Sequence, residues 1–90
     1  MIFVMLSKIK GTPTKDALDQ GKKLAEEMTK RKGFKILCNY WTLGQYDSVA
    51  IFEAPSEKEA LKFLVKAAKL GTASSETLVA IPREEAVKLL

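Results

Sequence analysis

Histidine is absent from this 90-residue chain, and cysteine occurs once, at Cys38. The first absence excludes histidine-based catalytic triads and the usual His-rich zinc and iron sites. The second excludes an intrachain disulfide and suits a reducing compartment, so a cytoplasmic location is expected. No apolar run approaches the ~20 residues of a membrane span. The opening MIFVMLSKIK carries no basic stretch ahead of its apolar residues. It reads as a strand and not as a signal peptide. Asparagine and glutamine are scarce while lysine and glutamate are plentiful, a usage shared with heat-adapted proteins, so a thermostable chain is expected. No phosphate loop, dinucleotide fingerprint or metal-ligand cluster occurs, and neither a metal nor a cofactor is expected.

The composition, 47% hydrophobic and 29% charged, is that of an ordinary globular protein. Residues 1–90 suit one domain. A domain of this size buries a modest share of its surface, and covering an apolar face with a second subunit is a common remedy. The net charge of +4 is uneven: residues 1–40 hold nine Lys/Arg and four Asp/Glu, residues 41–90 six and seven. The densest basic run is TKRKGFK, Thr29 to Lys35. A solvated helix end accounts for it, since cations favour the negative pole of the helix dipole. A nucleic-acid or anion patch is the alternative.

Along the chain, IFVMLSK (2–8) is short and rich in Ile, Val and Phe, as in a buried strand. Thr12 before Pro13 reads as an N-cap with proline at the first helical position. Ala17, Leu18, Gly21, Leu24, Ala25 and Met28 then recur at helical spacing, and Gly33 stands where a C-cap glycine belongs. FKILCNYWTL and YDSVAIFEA are strand-like runs flanking Gly44-Gln45. Ser56 to Glu59 (SEKE) is a capping box opening a second helix that Gly71 closes. TASSETLVAI is a last strand, and Pro82 opens a short helix. The order β-α-β-β-α-β is that of the ferredoxin-like unit: α+β, a four-stranded antiparallel sheet with both long helices on one face.

With Gly44-Gln45 as the turn, Thr42 faces Asp47 and Trp41 faces Ser48. Alternation then places Leu37, Asn39, Trp41, Leu43, Tyr46, Ser48, Ala50 and Phe52 on one face. Ile36, Cys38, Tyr40, Thr42, Asp47, Val49, Ile51 and Glu53 fall on the other. Both faces are substantially apolar, whereas a sheet with one wet face alternates cleanly. The helices cover only one, so the other is expected to meet a second copy, giving a homodimer or higher oligomer. The β-branched face (Val4, Ile36, Val49, Ile51) is assigned to the helices. The Trp/Phe face, with Phe3, Met5, Trp41 and Phe52, is assigned to the partner.

Gly44, Tyr46 and Asp47, then Glu53-Ala54-Pro55, Leu70-Gly71 and Glu76-Thr77-Leu78, resemble the GYD-domain family, whose short proteins carry a Gly-x-Tyr-Asp-like segment in a hairpin. The resemblance spans the chain, and its specific part is residues 42–82. It implies membership of the dimeric α/β-barrel group, in which two ferredoxin-like sheets face each other. It brings no established activity. The wider superfamily includes cofactor-free monooxygenases, haem-degrading enzymes and sensor domains, and fold analogy does not choose among them.

The ligand-pocket candidates are Asp47, Tyr46, Trp41, Asn39 and Ser48. Asp47 reads first as an anchor accepting N–H bonds from residues 12–14 or the Gly71-Thr72 turn, and second as a general base. Tyr46 and Trp41 read as interface aromatics that also line a cavity between the sheets, with Asn39 and Ser48 supplying hydrogen bonds. Glu53 and Glu76 form a carboxylate pair only if the fold joins them. Cys38 reads as a small buried hydrophobe on the helix side. A small-molecule-binding or regulatory homo-oligomer is the leading expectation. The alternatives are a cofactor-free, monooxygenase-like enzyme acting on a small substrate in a cavity between sheet and helices, and an anion- or nucleic-acid-binding module. The last is disfavoured because the RNA-stacking aromatic motif is not evident.

Overall fold

A computed structural model describes residues 1–90. The elements are β1 (Ile2–Ile9), α1 (Lys15–Thr29), β2 (Lys35–Trp41), β3 (Ser48–Glu53), α2 (Glu57–Lys69), β4 (Ala73–Ala80) and α3 (Arg83–Val87). The four strands form one antiparallel sheet in the order β2-β3-β1-β4, so the fold is the α+β, ferredoxin-like one. No helix is long and apolar enough to cross a membrane.

The caps differ in detail from those the sequence suggests. Thr14, not Thr12, caps α1: its Oγ1 accepts the Ala17 N–H at 3.1 Å, which leaves Pro13 ahead of the cap. Ser56 caps α2 by accepting the Glu59 N–H at 3.2 Å. The Glu59 carboxylate does not return to the cap. It accepts from Lys62 at 2.9 Å and lies 3.9 Å from Arg31, which tethers the exit of α1 to the first turn of α2. Lys62 holds the Glu59 carboxyl below its ordinary value, with weaker help from Arg31 and Lys58. The α1 C-cap is Lys30, so most of the basic run lies past the helix. Gly33 sits three residues beyond the cap with φ +85, where it turns the chain into β2.

The sheet faces are the reverse of the expected assignment. Phe3 and Phe52 stack at 5.3 Å, and Phe63 of α2 meets Phe52 edge-on at 5.5 Å. With Met28, Phe34, Ala54 and Ala60 they form the core, so the helices cover the aromatic face. The face left open carries Val4, Leu6, Val49, Ile51 and Leu78. A bulge at Leu37 contributes to the difference. Lys35 faces Glu53 and Ile36 faces Phe52, but Cys38 faces Ile51, so strict alternation fails across residue 37. Ile36 thereby joins the aromatic face, and Cys38 joins the open one, not the helix side. From Cys38 to Trp41 the register is the expected one, with Trp41 opposite Ser48.

The core is thin. Nine of the 90 residues are buried, and no large side chain is wholly enclosed. The protomer exposes 6659 Å², against about 5,200 Å² for a compact monomer of its mass. Its radius of gyration is 13.7 Å, against about 12 Å for a compact chain of this length. The excess has two visible sources: the open sheet face, and a gap beneath α1, which packs against α2 and stands off the strands.

The turn at Gly33 has almost no room for a side chain. A Cβ there would sit 2.6 Å from Pro55 Cγ, in a backbone region that disfavours L-residues. Gly33→Ala is therefore expected to destabilise the fold by about 2 kcal/mol or more. Gly44→Ala, which pays only for its φ of +125 with open space around it, should cost less. Urea midpoints of the two variants check the order.

Candidate functional site

The gap beneath α1 is a cavity of about 950 Å³, partly open to solvent. It falls at the upper end of the range typical of small-molecule sites. Its origin is legible in side-chain size. The inward stripe of α1 runs Ala17, Gly21, Leu24, Ala25, Met28. The large residues, Leu24 and Met28, pack on the core and dock the C-terminal half. The small ones, Ala17 and Gly21, with Leu18 at their edge, line the gap between the N-terminal half and the sheet. The facing strands are small there too, with Ser7, Ser48 and Ala50.

Strand register arranges the sheet wall in rows. Ile36, Phe52 and Phe3 lie side by side at the core end. Asn39, Ala50 and Met5 form the next row. Trp41, Ser48, Ser7 and Ser75 form the third, one residue from each strand. The wall thus passes from aromatic to hydroxyl-bearing over two row spacings. Ser7 is the one buried polar residue, at 7% exposure, and its hydroxyl has no hydrogen-bond partner in the protein. The side chains of Ser48 and Asn39 are likewise unpartnered within the chain. Trp41 is 66% exposed and stands at the rim.

Of the five candidates, Trp41, Asn39 and Ser48 line this cavity, which lies between sheet and helix and not between two sheets. Asp47 and Tyr46 do not line it. Asp47 continues the ladder beyond β3: its N–H donates to the Ser7 carbonyl at 2.8 Å, and its carbonyl accepts the Thr42 N–H at 2.9 Å. Its carboxylate Oδ2 accepts the Ile9 N–H at 2.7 Å. The partner is therefore the end of β1, and not residues 12–14 or the Gly71-Thr72 turn. Tyr46 turns to the open face. Its hydroxyl donates to Glu76 Oε2 on β4 at 2.7 Å, and its ring lies 5.7 Å from the Lys8 ammonium. The hairpin is closed further by Thr42 Oγ1, which donates to the Tyr46 carbonyl at 2.7 Å.

The segment Gly44, Tyr46, Asp47 thus ties the β2–β3 hairpin to β1 and β4. The sequence description of the GYD domain matches residues 3–90. The chain belongs to the GYD-domain family. No curated protein matches this GYD-domain chain. Solved structures of similar fold include MtbAldR, at 10% identity and TM-score 0.60, over 89% of this chain and 50% of that one. An AsnC family transcriptional regulator from Agrobacterium tumefaciens matches at 16% and 0.55, over 91% and 52%. Muconolactone isomerase matches at 18% and 0.55, over 92% and 93%. The GYD-domain chain spans about half the length of the first two. At these identities the likeness shows the fold alone.

Other candidate chemistry does not assemble. Glu53 faces Ile2 and Glu76 faces Leu6, which sets the two carboxylates about 13 Å apart along β1. No group of three or more Cys, Asp or Glu side chains comes together as a metal site. Ser7 was not singled out from the sequence. Its signal would have been a lone small polar residue inside an otherwise apolar strand.

Two predictions concern the GYD segment. Asp47→Ala leaves the Ile9 N–H without its charged acceptor and should cost about 1–3 kcal/mol. Asp47→Asn keeps an acceptor oxygen and should cost less, as read from denaturant midpoints. The Tyr46 phenol is held above its ordinary value of 10.0, chiefly by the bond to Glu76, then by desolvation and the Glu76 charge. A folded-state value above the unfolded one means that this contribution is complete below pH 10.0 and fades as pH rises through the folded value. Glu76→Gln should lower the Tyr46 ionisation midpoint toward 10.0, followed through the Cζ resonance of labelled tyrosine. An unchanged midpoint would assign the shift to another cause.

Proposed function

We propose that this GYD-domain protein is a homodimer that binds a small molecule in the cavity beneath α1, in a regulatory role. The observation that carries the reading is the cavity itself: an apolar floor with Ser7 and Ser48 at one end and the exposed Asn39 one row nearer the core. No buried side-chain polar atom lacks a partner, so the Ser7 hydroxyl, which no protein group engages, is accessible from the cavity and free to bond a ligand. The titratable side chains among the lining residues are lysines, and no carboxylate is among them. That composition favours binding over acid–base catalysis. Similarity to the AsnC-family regulator is in keeping with a regulatory role, while the likeness to muconolactone isomerase keeps an enzymatic role as the competing reading.

The open sheet face supports the homodimer. It presents Val4, Leu6, Val49, Ile51 and Leu78 in adjacent rows, flanked by Tyr40 opposite Val49. A stable interface takes about 800 Å² from each partner. The protomer's surface exceeds that of a compact monomer by about 1,400 Å², an excess the open face shares with the gap beneath α1. The apolar rows, with the charges Lys8, Glu53 and Glu76 toward their ends, fit a second copy of the same face around a two-fold axis.

Native mass spectrometry of protein purified without denaturation tests both parts. The expected result is twice the 10.0 kDa chain mass, with additional mass from retained ligand. Leu78 is already half-exposed in the protomer, so Leu78→Glu should spare the fold and shift light-scattering mass to the monomer. A monomeric wild type would overturn the dimer. Turnover by the apo protein on a panel of small lactones and phenols would favour the enzyme.

A further inference from the structure

We infer that the cavity beneath α1 takes a small amphipathic organic anion, with its charged end at the serine row and its apolar body toward the phenylalanines. This rests on the reading of the cavity as a ligand site. Three independent features give the ligand its chemistry. The first is the gradient along the wall. Phe34, Phe52, Phe63 and Met28 line one end, and the Ser48–Ser7–Ser75 row lines the other, so an occupant matched to the cavity is apolar at one end and polar at the other.

The second feature is the serine row. Ser7 is more than nine-tenths buried as a residue, and its hydroxyl, which bonds no protein group, stays accessible from the lining. Its register neighbours on both sides, Ser48 and Ser75, are also serines. Three hydroxyls in a row across three strands make an array of donors for a group with several acceptor oxygens.

The third feature is the sign of charge. The charged lining residues are Lys10, Lys22 and Lys35, and none of the chain's 11 carboxylates is among them. Helix α1 makes the selection plain. It carries Asp16, Asp19, Glu26 and Glu27 beside Lys15, Lys22 and Lys23, yet the one charged residue it gives the cavity is Lys22. Lys10 follows β1 directly beyond Ser7 and Ile9, next to the serine row, where its backbone N–H is held by the Thr72 carbonyl at 3.0 Å. Lys35 stands at the opposite end, in register with Glu53. The potential over the polar end therefore favours an anion and disfavours an ammonium.

Trp41 is the only tryptophan and sits on the rim, so its emission reports occupancy. The test titrates the purified full chain with octanoate, 1-octanol and octylammonium, which share one apolar body and differ in the head. Octanoate is expected to bind about tenfold more tightly than octanol, with affinity falling as salt rises, and octylammonium most weakly. Ser7→Ala is expected to weaken octanoate about tenfold and octanol less, with the urea midpoint near that of the wild type. Lys10→Gln is expected to reduce the salt dependence. Octanol binding as well as octanoate, or octylammonium binding better, would overturn the anion inference and leave the cavity reading standing. Silence from all three, confirmed by calorimetry, would overturn both. Full octanoate affinity in a folded Ser7→Ala variant would remove the serine row from the site.

Discussion

Strand β1 is hydrogen-bonded on both sides, and the register of those two ladders decides what the sheet shows to each side. Ser7 faces Ser48 across one ladder and Ser75 across the other. The same register sets Phe3 beside Phe52 and leaves Val4 between Ile51 and Leu78. A slip of one residue would exchange every one of these faces. Such a slip is a real hazard here, because both faces are apolar and burial alone discriminates weakly between them. The carboxylate of Asp47 acts against it. By accepting the Ile9 N–H at 2.7 Å it fixes where β1 stops relative to β3, through a charge-assisted bond available in one register only.

Given that register, the choice of face follows from shape. The aromatic face wins the helices because Phe63, Met28 and Phe34 interlock with Phe3 and Phe52, burying far more area per residue than a Val/Ile surface offers. The β-branched face is flatter, which suits packing against another sheet. The same shape argument produces the cavity. Where α1 presents Leu24 and Met28 it closes on the sheet, and where it presents Ala17 and Gly21 it meets serines and alanine and a gap remains. A well-packed core excludes such voids. The gap therefore keeps the chain's buried core small, which makes the isolated protomer more dependent on whatever covers its open face.

The elements and their order were legible in the sequence, since periodicity and turn chemistry act locally. The hairpin register near Trp41 and Ser48 was legible for the same reason. What failed was whatever depended on comparing distant segments. The bulge at Leu37 interrupts alternation with no proline or glycine to mark it. The face assignment hinged on side chains of α1 and α2 meeting β1 and β3, which no single stretch encodes. The serine row draws on residues 7, 48 and 75, and its alignment exists only once both ladders are set. Asn39, Trp41 and Ser48 were singled out as pocket residues, yet the wall they form belongs to the sheet–helix gap. Asp47 was read as an anchor, but its partner is a strand end and not a helix start.

The Gly-x-Tyr-Asp segment then has a physical meaning beyond its turn. Gly44 supplies the positive φ, Tyr46 crosses the open face to Glu76, and Asp47 locks β1. Ser48 follows Asp47 directly and opens onto the cavity on the other side of the sheet. Consecutive residues at the entry to β3 thus serve the two faces: Tyr46 the outer surface, Asp47 the register between strands, Ser48 the inner wall. A lock placed immediately before Ser48 holds that hydroxyl level with Ser7. The hydrogen bonds of that segment, with the two ladders of β1, let a wall built from three separate strands present its hydroxyls as one row.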